Sequence, residues 1–512
     1  MSKVQYPKSK VWFEGNLLIA GAARSGRAAA LLARRLLPDA EVVVCDQSGR
    51  PAPEEELAAL AAAGVKLKLG NQDASLLDGC GLLVKSPGVP AEIPLIREAR
   101  RRGVAVWGEI EFASRFLPNP VIGITGTNGK TTASELVGHI LRGAGWRCRV
   151  AGNVGTALSS LAGVVDKDDI IVVELSSFQL EDIVDFRAHV AVLLNLSEDH
   201  LDRHADAAGY YAAKMRIFGG QEAGDVAVLN AGDPAVAAAR ISGQAGKVWF
   251  GVHDGEIAGG RQGLPALAVF ASGGEIRADM DQLGAAARKV RARFAAASPA
   301  PASCAGGRKA AAAGEDSGGS FAKIISWPEA SIKGEHNLEN SLAAAAVCLS
   351  AGLSPAQVAA GLRSFPGVPH RLQRVAEVGG VTYVNDSKAT NVAAAVKALT
   401  AFDNGVHLIL GGSRKGCSFA GLAQAAATGK VKEVIAIGEA AAEIATSFKQ
   451  VDKTVMVVDG LEDAVRAAAE DAVPGDVVLL APACASFDQY GNFEQRGEHF
   501  ISLVSQLKTE AG

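Results

Sequence analysis

Cysteine is scarce and unpaired in this 512-residue chain: there are seven, Cys45, Cys80, Cys148, Cys304, Cys348, Cys417 and Cys484, and no C-x-x-C pair. A zinc ribbon and a secreted disulfide framework are both excluded, and the thiols read as reduced and mostly buried. Excess charge of one sign is also missing. With 51 Lys and Arg against 55 Asp and Glu the formal net charge is −4, so nothing draws the chain in bulk to nucleic acid or to an anionic membrane. Any anionic ligand must be held locally. The basic start MSKVQYPKSK precedes an apolar stretch broken by Glu14, with no small-residue cleavage site after it, which reads as a cytoplasmic protein. The longest uncharged run, 340–362, contains Ser354-Pro355-Ala356-Gln357, a helix cap with Pro in the first turn. Two Ala-rich helices are expected there, with no membrane insertion. No repeat of roughly 20–50 residues is visible.

What is present is apolar: 48% of the chain is hydrophobic and 21% charged, enough for several cores, and about 150 residues per domain suggests three domains. Short β-branched runs alternate with helical ones, the pattern of parallel sheets. The first series holds Leu17-Leu18-Ile19 and Val42-Val43-Val44, and the second Val121-Ile122-Gly123-Ile124, Ile170-Ile171-Val172-Val173 and Val190-Ala191-Val192-Leu193-Leu194. A third holds the strand-like runs at 381–384, 408–410, 434–437, 455–458 and 477–480. Domains over 1–116, 117–366 and 367–512 follow, with Phe116 to Pro120 as the first connector. Between Leu283 and Lys323 the sequence turns to Ala, Ser, Gly and Pro with seven Lys or Arg against two acidic residues, and is expected to be a mobile basic insertion.

The strongest chemical signal is Gly126-Thr127-Asn128-Gly129-Lys130-Thr131-Thr132, between a strand and a helix. Glycines let backbone N–H groups approach phosphate oxygens, the helix N-terminus adds partial positive charge, Lys130 reaches the terminal phosphates and Thr131 can ligate Mg²⁺. ATP or another nucleoside triphosphate is the expected ligand. Ile124 stands where the general loop begins with Gly, so this is a shortened variant. Glu174 ends one strand and Asp199-His200 follow another, beyond the carboxyl ends where open α/β sheets bind ligands, which favours metal or catalytic roles. Earlier, Gly21-Ala22-Ala23-Arg24-Ser25-Gly26 follows a strand and opens a helix, and Asp46 ends the next strand. Ala23 replaces the middle Gly that close approach to a dinucleotide pyrophosphate needs, which argues against NAD.

Together with GTNGKTT, the strings ELSSFQLE (174–181), NLSEDHLDRH (195–204), AAK (212–214), EHNLEN (335–340), PHRLQ (369–373), NDSKATN (385–391) and LAPACASFDQYGNFEQRG (480–497) resemble the Mur ligase family across nearly the whole chain. The resemblance implies three α/β domains: Rossmann-like, P-loop ATPase and Rossmann-like. It implies an ATP- and Mg²⁺-dependent ligase of peptidoglycan synthesis that joins D-glutamate to UDP-N-acetylmuramoyl-L-alanine through an acyl phosphate, expected as a monomer without nucleic-acid partners. The residues from Gly126 to Thr132 would hold ATP, and Asn337 and Asn340 its adenine, although capping by Asn337 is a competing reading. Arg371 and Asp386 would close over the nucleotide. Thr131 and Glu174 would ligate Mg²⁺ and His200 a second ion, while Lys214 matches the family's carbamylated lysine, where spacing alone suggests an ordinary surface lysine. Lys130, His200 and Lys214 would form the catalytic set. Arg24 and Ser25 would meet the diphosphate, Asp46 and Gln47 the uracil side, with Ser86, Gly88 and Asn153 as further substrate contacts. Lys388, Thr390, Lys415, Ser486 and Phe493 would bind D-glutamate. A P-loop hydrolase is the rival from another class.

Overall fold

The computed structural model describes residues 13–49, 52–199, 203–204, 206–241, 243–252, 266–297, 321–403, 405–413, 418–427 and 429–510. They form two compact units, one ending at Phe365 and the other beginning at Pro366.

The first unit contains two sheets. In one, β1 (Asn16–Ala20), β2 (Val42–Asp46), β3 (Lys66–Leu69), β4 (Cys80–Lys85) and β5 (Ala105–Gly108) lie in the order β3-β2-β1-β4-β5, all parallel. The order reverses between β1 and β4, which opens a crevice at their carboxyl ends. In the other, β6 (Val121–Thr125), β7 (Cys148–Gly152), β8 (Ile170–Glu174), β9 (Val190–Leu193), β10 (Val226–Asn230), β11 (Gly246–Val252), β12 (Val269–Ser272), β13 (Glu275–Asp279) and β14 (Phe321–Ser326) lie in the order β14-β13-β12-β11-β10-β9-β6-β8-β7. Strands β6, β8 and β9 are buried at every residue, as unbroken Val/Ile/Leu runs in a parallel sheet require. The last two strands are antiparallel additions. Gly273 (φ +57°) and Gly274 (φ +75°) make the two-residue turn from β12 to β13.

Two expectations need correction here. The span from 283 is not a loop from its start: Met280–Ala297 is a helix whose Leu283, Ala287, Val290 and Phe294 are buried, and Phe321–Lys323 belongs to β14. Their 4-3-4 spacing puts one face on the helix Glu335–Ala351 and leaves Arg288, Lys289 and Arg293 exposed. Within 283–323, residues 298–320 lie outside the described residues. Nor is Phe116 to Pro120 a free connector. Phe116 and Leu117 join a core that runs without a break from Leu17 to Val236, and the Asn119 amide donates to the Asp166 and Asp169 carbonyls, each at 2.8 Å. The two Ala-rich helices form as expected, Glu335–Ala351 and Pro355–Ser364, the second closed by a reciprocal Ser354–Gln357 capping box.

The second unit is a single sheet of β15 (Gln373–Val378), β16 (Val381–Asn385), β17 (Val406–Gly411), β18 (Val431–Ile437), β19 (Met456–Val457) and β20 (Val477–Leu480), in the order β15-β16-β20-β17-β18-β19. Only β15 runs antiparallel, and separate apolar cores cover the two faces. No helix among the described residues is long and apolar enough to cross a membrane.

Candidate active site

The loop after β6 is held by its own hydrogen bonds. Gly129 (φ +81°) caps the helix Lys130–Gly143 in the left-handed region that favours glycine, and a Cβ there would have to displace the Asn340 side-chain oxygen. Asn128 N–H donates to Asn195 Oδ1 at 2.8 Å, and Thr127 Oγ1 both donates to the Ser197 carbonyl (3.1 Å) and accepts from its N–H (3.0 Å). Lys130 Nζ donates to the Gly126 and Thr127 carbonyls at 3.0 and 2.8 Å. Thr131 and Thr132 form the first turn of the helix, at the positive end of its dipole.

Lys214, on the helix Ala207–Met215, is buried rather than a surface lysine, and its Nζ donates to the same Gly126 carbonyl at 2.8 Å. Burial, reinforced by the neighbouring Lys130 charge, pushes this ammonium down to about 7. Tyr210, one turn earlier, places its ring 4.5 Å from Nζ and its hydroxyl donates to Thr127 Oγ1 at 3.4 Å. Asn340 donates to Asn337 Oδ1 (3.3 Å), and Asn337 donates to the Lys333 carbonyl. The Asn337 side chain therefore caps no helix N–H; Gly334 is the N-cap.

Glu174, buried at the end of β8, accepts from the Asn153 side-chain amide at 3.0 Å, and the Asn153 carbonyl accepts from Arg24 Nη2 at 2.9 Å. These contacts run from the phosphate-loop sheet to the first sheet. There a cavity of about 500 Å³ lies at the β1/β4 reversal, and Arg24, Ser25, Asp46, Gln47, Ser86, Gly88 and Asn153 all line it. Gly21 (φ +97°) turns the chain tightly: an added Cβ would sit 2.9 Å from the Ser86 and Val89 side chains. Asp46 braces that turn by accepting from the Ala22 N–H at 2.7 Å.

The second unit gathers its own loops at the carboxyl ends of β16, β20 and β17. Asp386 accepts from the Leu372 N–H at 3.1 Å, and burial pushes its carboxyl up to about 6 against the opposing pull of Arg371 and Lys388. Arg371 sits between two residues in the left-handed region, His370 (φ +60°) and Leu372 (φ +43°), a strained turn of the kind that accumulates at functional sites. Ser486 is buried, Ser387 Oγ donates to the Phe493 carbonyl (2.8 Å), and Thr390 N–H donates to the Lys388 carbonyl (2.8 Å). His200 and Lys415 lie outside the described residues. Asp199 is exposed just beyond β9.

The chain matches the Mur ligase MurD-like N-terminal domain over residues 16–108, the Mur ligase middle domain over 124–285 and the Mur ligase glutamate ligase domain over 370–484. It is 38% identical over 494 residues to a UDP-N-acetylmuramoylalanine–D-glutamate ligase of Pelotomaculum thermopropionicum, covering 96% of this chain and 98% of that protein. To the protein of the same name from Anaeromyxobacter dehalogenans it is 42% identical over 495 residues, with 95% and 97% covered. The chain belongs to the Mur ligase family.

As a Mur ligase it is an ATP-dependent, amide-bond-forming enzyme that uses Mg²⁺. Its fold is that of UDP-N-acetylmuramate-alanine ligase from Thermotoga maritima, with a TM-score of 0.51 at 18% identity over 96% of this chain and 99% of that one. MurF from Acinetobacter baumannii gives 0.51 at 18%, over 92% and 91%. The donor chemistry suits the ion: Glu174 is a buried carboxylate bonded by a neutral amide, and Thr131 adds a hydroxyl, both hard oxygens. Among the described residues no three His, Cys, Asp or Glu converge. Sequence reasoning missed Arg496. This buried guanidinium donates to the Ser387 hydroxyl and carbonyl (3.0 Å each), and to the carbonyls of Cys484 (3.1 Å), Ala485 and Gly411 (3.4 Å each). It ties together three loops of the second unit, and the only signal for it was its place in the 480–497 string.

Proposed function

We propose that this Mur ligase joins D-glutamate to UDP-N-acetylmuramoyl-L-alanine through an acyl phosphate. The observation that carries this reading is the likeness over nearly the full chain to relatives named UDP-N-acetylmuramoylalanine–D-glutamate ligase. A carboxylate cannot be displaced by an amine until its oxygen becomes a leaving group, so the substrate carboxylate first takes the γ-phosphoryl group and the amine then expels phosphate. In this reading Gly126 to Thr132 hold the phosphates, with Lys130 turning from the loop carbonyls to the terminal phosphate oxygens. Asn337 and Asn340 flank the adenine. Thr131, Glu174, His200 and Lys214, the last as its carbamate, would hold Mg²⁺, which supplies charge neutralisation to the transferring phosphoryl group.

The cavity at the β1/β4 reversal takes the uridine diphosphate, with Arg24 and Ser25 on phosphate oxygens, Asp46 and Gln47 on the uracil side, and Ser86, Gly88 and Asn153 completing the wall. Because Asn153 touches both Arg24 and Glu174, this arrangement would set the sugar end of the substrate towards the nucleotide loop. In the second unit Arg371 and Asp386 serve the nucleotide. Lys388 and Lys415 face the two carboxylates of D-glutamate, with Thr390, Ser486 and Phe493 around its chain. Domain limits at 1–116, 117–366 and 367–512, a monomeric state and a cytoplasmic location belong to the same proposal.

The test is phosphate release from ATP with Mg²⁺ and UDP-N-acetylmuramoyl-L-alanine, comparing D-glutamate, L-glutamate, meso-diaminopimelate and no amino acid. Release with amide product is expected for D-glutamate alone. Release without any amino acid would instead point to a hydrolase.

A further inference from the structure

Lys85 is the last residue of β4 and pairs in register with Ala20 of β1, so it stands where the strand order of the first sheet reverses. Its side chain is fully buried. The ammonium lies 2.9 Å from Asp182 Oδ2 and 3.9 Å from Glu181 Oε2, and it donates to the Val89 carbonyl at 3.1 Å. Val89 lines the 500 Å³ cavity, while Glu181 and Asp182 do not line it but lie two and three residues after the lining residue Gln179. Ser86 to Pro90 form one wall, and Gln179, held in a capping box at the start of the short helix Ser177–Leu180, forms part of the other. Asp182 and Glu181 follow that helix directly. Lys85 therefore spans from the turn after β4 to the turn after β8.

Stability alone gives no reason for a buried ammonium at this point, because replacing a buried ion pair by apolar groups of similar volume is often neutral or stabilising. What a hydrophobic side chain could not do is grip both walls at once. The 86–90 turn is otherwise attached through Ser86, whose N–H donates to the Ala20 carbonyl (2.9 Å) and whose hydroxyl donates to the Gly21 carbonyl (3.1 Å). Asp182 has a second cation, Arg100 Nη2 at 3.1 Å, which is half-exposed and does not reach Val89.

We propose that Lys85 is a positioning residue for the nucleotide-sugar substrate, fixing the spacing between the Ser86–Pro90 wall and the Gln179 wall of the cavity. The proposal rests on the uridine-diphosphate reading of that cavity. Displacement of a binding wall by about 1 Å from a residue that does not touch the reacting atoms is enough to lower kcat/KM for that substrate by one or two orders of magnitude, here through KM.

Steady-state kinetics on the full chain, varying UDP-N-acetylmuramoyl-L-alanine, ATP and D-glutamate in turn, test it. Lys85→Met is expected to raise KM for the nucleotide-sugar roughly tenfold or more while leaving kcat and the other two KM values within about twofold. Arg100→Met, which strips the same carboxylate of its other cation, should leave the nucleotide-sugar KM unchanged. An unaltered nucleotide-sugar KM in Lys85→Met, or an equal loss for all three substrates, overturns the proposal. If Lys85→Met does not fold, Asp182→Asn keeps the shape and removes the charge that orients Lys85, and the same selective rise, roughly threefold, is required of it. A wild-type chain that turns over none of these substrates would sink the functional reading itself, a result distinct from active wild type with an indifferent variant.

Discussion

Lys214 shows how one buried amine can carry a pH signature. Its burial and the adjacent Lys130 bring it to about 7 in the folded chain, whereas the unfolded chain holds that proton up to the ordinary lysine value of 10.5. Below about 7 both states are protonated, and the cost of burying the charge is fully present. Between about 7 and 10.5 only the unfolded state keeps the proton, so this group's contribution to stability improves as pH rises. Wild type should therefore gain on Lys214→Met between pH 6.5 and 8.5 in CO₂-free buffer, read as urea midpoints. A constant gap between the two would rule out the depressed amine. Nothing in the sequence around Lys214 separates it from a surface lysine, since its burial comes from packing beneath a loop nearly ninety positions away, against Gly126. The resemblance alone picked it out. Arg496 escaped for the same reason, because its partners at 387, 411 and 484–485 meet only through the fold of the second unit.

Elements were legible where their residues left no choice. The apolar runs of β6, β8 and β9 and the Ser354 capping box each announce their structure, because burial on both faces and a satisfied helix end depend on local sequence. The helix Met280–Ala297 was not legible, since alanine and arginine suit both a helix and a solvated tail, and its buried face carries only three side chains larger than alanine, Leu283, Val290 and Phe294. Gly273-Gly274 did offer a hairpin signal, hidden by the weak strands either side. Phe294 is the buried anchor near the end of that helix, so Phe294→Ala should cost about 3–5 kcal/mol in urea unfolding. A loss below about 1 kcal/mol, the scale of a surface change, would return the segment to the status of a decoration.

At the scale of the molecule, the first and last segments of the chain differ in self-sufficiency. Residues from Pro366 onwards carry two apolar cores of their own, on either face of a six-stranded sheet. Expressed alone, 366–512 should give a cooperative thermal transition by circular dichroism. Residues 1–116 should not, because Leu17, Ile19, Val84, Phe112 and Phe116 share their core with Val121, Ile171, Val173 and Leu193. Glu111 adds to this by accepting the N–H groups of Val184, Asp185 and Phe186 at 2.8, 3.0 and 2.8 Å. A melting transition from 1–116 and a flat trace from 366–512 would reverse that assignment.

The unbroken core from Leu17 to Val236 also sets a rule for recombination. A graft of 1–116 from another Mur ligase carries in one half of a jigsaw whose other half stays behind, and close-packed interiors respond to mismatches of even a methylene. A crossover after 365 leaves both cores of the residues from Pro366 onwards whole, so chimaeras should survive there and fail at 116, although both sites look like joints between domains in the linear sequence.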